Sequence, residues 1–454
     1  MTTKESAKES AIDRALSFLL RPFAKVEPAE ALNALVMTLT VFLLLTAYYL
    51  LKTAREPLIL LHGGAEVKSY AAAGQAVLLL GFVQLYGWVA RKVGRMRLLL
   101  SVYLFFAANL LLFAALTRAG LAVAIPFYLW VGVYNYTSIA QFWGYASDVY
   151  TPEQGKRLFA VIGVGSSFGA VAGAHLAKLV VPLGPQAMML GAAILLGVIC
   201  GLLLWVNARV EAPVASEAKK ADAEPLSHES AFSLLAHDKY LILIALLTLL
   251  INWCNSTGEY ILDRTLLAAV ADQHQHADPM VFVGQFKAEY FEWVNIVGVL
   301  LQLFAVSRIL DKLGVRAALF FLPAIAFAGY TLMLVAPVLS LIRLAKAAEN
   351  SLDYSVQNTA RQALYLVATR VEKYVGKIAV DSFFVRFGDV LSAVVVYVGA
   401  KLALPTQAFA AINLVLILVW IFVVVLVGRE HRRRSEDLEK ESAARNSPLT
   451  VAPS

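Results

Sequence analysis

Lys52, Arg55 and Glu56 close an apolar run that begins near Ala31. On a helix the lysine and the acid are four apart and the arginine three from the lysine, so all three project toward one face. An ionised side chain facing lipid costs at least about 2.5–3.5 kcal/mol, so such a face should meet protein or water. The chemistry available is anion binding, with the cations neutralising the anion and the acid pairing with them when the site is empty. A second reading places the three at the outer end of the span, snorkelling to the interface. Pro57 leaves both readings open.

The segment "LIRLAKAAENSLDYSVQNTARQALYLV" carries more. At 100° per residue, Arg343, Lys346, Asn350, Asp353, Gln357 and Arg361 fall within an arc of about 80°. The opposite side holds Leu341, Leu344, Ala348, Leu352 and Ala363. A polar stripe about 27 Å long on an otherwise apolar helix lines an aqueous path through a membrane. A surface amphipathic helix has the same period, but apolar runs flank this segment. Further polar candidates are Asn252, Asn255, Glu259, Asp263 and Arg264 in one run and Glu289, Glu292 and Asn295 in the next. Asp148, Lys156, Arg157, Lys377, Asp381, Arg386 and Asp389 lie near loops, where charges either form gating pairs between helices or contact substrate. Acids and bases are roughly balanced among these positions, so charge alone does not name a substrate.

These residues need a membrane scaffold to position them. The 454 residues are 59% hydrophobic and 16% charged, with a mean hydropathy of +0.69. So much apolar surface excludes a soluble domain. Spanning runs lie near 32–51, 68–90, 98–117, 121–147, 158–181 and 186–208, and again near 240–266, 286–307, 317–336, 338–368, 378–401 and 405–428. The expected fold is an all-α polytopic membrane protein with twelve transmembrane helices in two six-helix halves, 32–208 and 240–428. A cytoplasmic tail (1–31), a flexible cytoplasmic linker (209–239) and a basic cytoplasmic tail (429–454) complete the division.

Twenty-seven of the 39 Lys and Arg residues fall on the side of both termini, eight fall within spans, and Lys68, Arg118, Lys287 and Lys401 are assigned to loops on the other side. Both termini are therefore expected to be cytoplasmic, with topology accounting for the net charge of +7 rather than nucleic acid. "RKVGRMR" (91–97) recurs as "DKLGVR" (311–316), and Gly155-Lys156 as Gly376-Lys377, an internal repeat of the kind shown by major-facilitator transporters.

Other features read as structural. The start of the chain lacks a secretory signal; Ile12–Phe23 is either a surface amphipathic helix or a solvated tail. Cys200 and Cys254 lie in apolar runs as packing residues. "GVGSSFGAVAGA" (163–174) lacks the Lys of a phosphate loop and reads as close helix packing. "DQHQHAD" (272–278) reads as a solvated loop, so no metal and no cofactor is implied. No nucleophile, base and oxyanion arrangement is present, which argues against an enzyme.

With these residues placed, the sequence resembles the nucleotide transporter family, the ATP/ADP antiporters of plastids and intracellular bacteria. The resemblance rests on Lys52, Arg55 and Glu56; on Phe142-Trp143-Gly144 followed by Lys156-Arg157; on Glu259; and on Tyr354-Ser355, Arg361-Gln362, "GKIAVD" (376–381), Arg386 and Gly388. It departs where Gln362 replaces an acid, where Asp389 replaces a lysine, and where the basic residue after Glu259 is displaced to Arg264. The resemblance implies exchange of nucleotides or a related phosphorylated anion by alternating access across a bacterial inner membrane, by a monomer. The implied substrate-binding residues are Lys52, Arg55, Glu56, Glu259, Arg343, Lys346, Asn350, Asp353, Gln357 and Arg361. Two alternatives stand beside it: proton-coupled transport of another organic solute through Glu56, Glu259 or Asp353, and a non-transporting scaffold or sensor that uses the basic tail.

Overall fold

In lipid a backbone must satisfy its own hydrogen bonds, and the apolar runs accordingly form helices. The computed structural model describes residues 26–90, 92–209, 238–272, 278–369, 372 and 376–446. Ile12–Phe23, most of the linker, residues 273–277 and the chain beyond 446 lie outside the described residues. In order, the helices are α1 (Pro28–Ala90), α2 (Arg95–Arg118), α3 (Ala124–Val149), α4 (Pro152–Val180), α5 (Pro185–Arg209), α6 (Lys239–Asp272) and α7 (Pro279–Phe304). They continue with α8 (Val306–Val335), α9 (Leu339–Leu352), α10 (Asn358–Leu364), α11 (Lys377–Ala379), α12 (Val385–Lys401) and α13 (Thr406–Asn446). Short π-helical stretches, Asp353–Gln357 and Val380–Phe384, join α9 to α10 and α11 to α12. Each of the twelve expected spans falls on helix, and eight helices among the described residues are long and apolar enough to cross a membrane.

The first two spans lie within α1, interrupted at Gly64, whose φ of 80° and ψ of 176° are open to glycine at little cost. Thr151 begins α4 with a capping box: its hydroxyl accepts from the Gln154 N–H, and the Gln154 side chain accepts from the Thr151 N–H.

The chain forms two compact units, 1–224 with 266–296 and 225–265 with 297–454. In the first, α1 packs against α3, α4 and α5, and α2 against α5. The small-residue stripe of α4 bears out its packing role. A side chain on Gly165, Gly169 or Gly173 would overlap the α1 backbone at Thr38, Phe42 or Thr46. In the second, α8 packs against α9 and α13, with Trp420, Tyr240, Tyr260 and Tyr330 buried.

Candidate functional site

In the first unit the first-span charges sit at a buried junction. Glu56 is 1% exposed. Its carboxylate accepts from Lys68 Nζ at 2.5 Å and Arg55 Nε at 3.3 Å, and Lys287 Nζ lies 3.6 Å away. Lys52 Nζ lies 4.1 Å from the ring centre of Phe291 and 5.2 Å from that of Tyr49, while the Arg55 guanidinium covers Tyr128 at 4.5 Å. The Tyr49 hydroxyl donates to Asn295 Oδ1 at 2.8 Å. Four basic side chains with aromatic faces and one carboxylate are chemistry suited to an anion.

This arrangement corrects the loop assignment of Lys68 and Lys287. Both are on helices and buried, Lys287 completely. On an unbroken helix the backbones of Glu56 and Lys68 would lie about 18 Å apart; the break at Gly64 brings their side chains together. A count by loop treats a lysine at the start of an apolar run as solvated. The Gly63-Gly64 pair was the available signal that Lys68 faces back toward Glu56. Nothing in the local sequence marks Lys287, 219 residues beyond Lys68.

Elsewhere in this unit, α4 and α7 are tied by His175 Nδ1 with Glu292 at 2.7 Å and Lys178 with Glu289 at 3.1 Å. Near the loops, Arg95 pairs with Asp148 and donates to the Gly144 carbonyl. Arg157 pairs with Glu30 at 3.2 Å, and Gln154 donates to the same carboxylate at 2.8 Å. The Lys156 side chain lies outside the described residues.

In the second unit the polar stripe turns inward: Lys346 and Gln357 are fully buried, and Asn350 nearly so, whereas Leu344 is 65% exposed. Lys346 Nζ donates to Asn255 Oδ1 at 2.8 Å and pairs with Glu349 at 3.1 Å; Asn350 Nδ2 donates to Glu259 Oε1 at 2.9 Å. Glu349, outside the stripe as drawn from sequence, joins it through its i,i+3 relation to Lys346. Arg343, Asp353 and Arg361 are half-buried. The π-helical stretch corrects the single 80° arc, because i→i+5 bonding rotates Arg361 relative to an ideal α-helix.

Asp389 accepts from Ser256 Oγ at 2.6 Å and pairs with Arg386 at 3.3 Å. Its negative charge is thus held locally. Lys377 Nζ lies 5.5 Å from the Tyr365 ring centre, and Asp381 is within electrostatic reach of Arg361 and Lys377. Gln362 is exposed. Among the described residues no group of His, Cys, Asp and Glu is placed to hold a metal.

Residues 127–431 match the TLC ATP/ADP transporter family. The chain is 22% identical to ADP,ATP carrier protein 1 of Chlamydia pneumoniae, over 67% of each chain. It is also 22% identical to ADP,ATP carrier protein 2 of Chlamydia trachomatis, over 88% of this chain and 89% of that one. The solved nucleoside transporter NupG shares the fold, with a TM-score of 0.60 over 88% of this chain and 98% of that one at 14% identity. The chain therefore belongs to the TLC ATP/ADP transporter family, a membrane transporter and not an enzyme, on a major-facilitator-like fold.

Proposed function

We propose that this protein exchanges nucleotides, ATP for ADP or a closely related phosphorylated anion, across a bacterial inner membrane by alternating access. The observation that carries the reading is the convergence of Arg55, Lys68 and Lys287 on Glu56. Phosphate oxygens compete for the same donors as a carboxylate and accept more hydrogen bonds from them. Glu56 then keeps the cations positioned between substrates, and Lys52 and Arg55 take part of the phosphate charge. In the second unit, Arg343, Lys346 and Arg361 supply further positive charge. Glu259, Asn350, Asp353 and Gln357 hold those cations or contact base and ribose.

Asp389, where a lysine stands in the resembling family, is compatible with an anionic substrate because Arg386 and Ser256 hold its charge. Asp148, Lys156, Arg157, Lys377, Asp381, Arg386 and Asp389 serve as the cytoplasmic charge network. The six-helix halves, 32–208 and 240–428, are the proposed moving bodies, in a monomer with both termini cytoplasmic.

The test is uptake of labelled ATP into proteoliposomes holding the purified protein, with and without ADP inside. Uptake that requires internal ADP supports exchange. No uptake by a folded protein in either condition overturns it and directs attention to proton-driven solutes. Lys52→Ala and Arg361→Ala should each abolish uptake while leaving membrane insertion intact; normal uptake by both would remove these residues from the site.

A further inference from the structure

Gln357 is completely buried, and among the described residues neither its amide oxygen nor its amide nitrogen has a hydrogen-bond partner. A buried amide left unpaired is costly, and native structures rarely keep one without a use. Two neighbours along the stripe make the contrast sharp: Lys346 donates to Asn255 and Asn350 to Glu259. One turn beyond Gln357, Arg361 Nε also has no hydrogen-bond partner among the described residues. Gln357 also ends the π-helical stretch Asp353–Gln357. Such single π turns are uncommon and concentrate at functional sites.

We propose that Gln357 reads the nucleobase of the substrate and selects adenine, an inference that rests on the nucleotide reading above. A primary amide presents one acceptor beside one donor. Adenine presents the complement on its N7 edge, the exocyclic amine beside N7, and glutamine meets it with two hydrogen bonds. On that edge a base with an oxo group in place of the amine sets two acceptors, the oxo oxygen and N7, against the amide and loses one of the bonds. Gln357 is sealed from solvent in this conformation, so a base reaches it as the surrounding helices part during transport. Arg361, four residues on, is then placed beside the bound nucleotide with a donor to spare.

The experiment is competition against labelled ATP uptake in proteoliposomes, comparing unlabelled ATP with inosine triphosphate, which differs in that exocyclic group. The wild-type protein should prefer ATP by about tenfold. Gln357→Met keeps the side-chain volume and removes the unpaired amide. It should bring the preference close to unity without lowering the thermal midpoint in detergent. If Gln357→Met does not fold, Gln357→Asn, which withdraws the amide by one methylene, should cut the preference. A wild-type protein that treats the two nucleotides alike overturns the inference, as does either folded variant with an undiminished preference. Failure of every nucleotide to enter or compete sinks the nucleotide reading along with it, whereas nucleotide uptake without base preference sinks this inference alone.

Discussion

Glu56 shows how one side chain can organise several others. Removing one partner of a buried ionic cluster leaves charges uncompensated and costs about 3–5 kcal/mol. Glu56→Gln should therefore lower the thermal midpoint in detergent substantially, and Glu56→Asp, which keeps the charge, should recover part of the loss. An unchanged midpoint for Glu56→Gln would mean that the three cations do not depend on it. Lys52, Arg55 and Glu56 were legible as a group because helical spacing alone sets their shared face. Lys68 and Lys287 were not, because their meeting with Glu56 comes from a chain reversal and a long-range contact that local periodicity does not encode. Glu349 was missed for a related reason: a stripe drawn at fixed angular width leaves out an acid at its margin, although the acid bonds to a member of the stripe.

Among the elements, α4 presents the clearest case of sequence dictating packing. Small residues at four-residue spacing, Gly165, Gly169 and Gly173, allow the α1 backbone to approach. Gly169→Val forces the helices apart and should cost about 1–3 kcal/mol, read as a lower thermal midpoint and a lower yield of folded protein. The same change at Gly197 in α5, where a side chain meets open space, should be tolerated. A second element-level contact lies at the polar end of α13. Arg434 donates to Asp238 Oδ2 at 2.6 Å and forks across Glu372 at 3.1 Å to each oxygen, while Asp238 also caps the start of α6. Burial raises the Asp238 carboxyl, but contact with Glu372, the Leu241 N–H and Arg434 outweigh it and hold the group below its usual range. A carboxyl lowered by folding contributes stability above its unfolded value, about 3.9. That contribution is lost as the pH falls through the folded value. Asp238→Asn should thus destabilise the protein at about pH 7, and the difference from wild type should close as the pH drops below about 4; a constant difference would refute the linkage. The π-helical stretches, by contrast, were not legible, since the sequence there supports ordinary α periodicity; the first of them, Asp353–Gln357, packs against α8, a contact that local periodicity does not encode.

For the whole molecule, hydropathy was sufficient to fix the class because lipid leaves so few ways to satisfy a backbone. The orientation proposed from the Lys and Arg count has a direct check. Cys200 and Cys254 are both buried, so a single Ser447→Cys should dominate labelling by an impermeant thiol reagent. Labelling is expected in inside-out vesicles and not in intact cells; the reverse would invert the topology. Substrate identity lay beyond hydropathy, which describes how side chains partition and not what they recognise; the resemblance at Lys52, Glu259 and Arg361 had to supply it. The last helix also has a practical use. At 41 residues α13 is about 62 Å long, roughly twice the hydrocarbon thickness of a bilayer. Its charged end therefore stands clear of the lipid as an unbroken rod. A rigid soluble domain fused in helical phase after Arg434, where the rod is still clamped to Asp238 and Glu372, would inherit a fixed orientation. It would give electron microscopists an alignment marker outside the micelle.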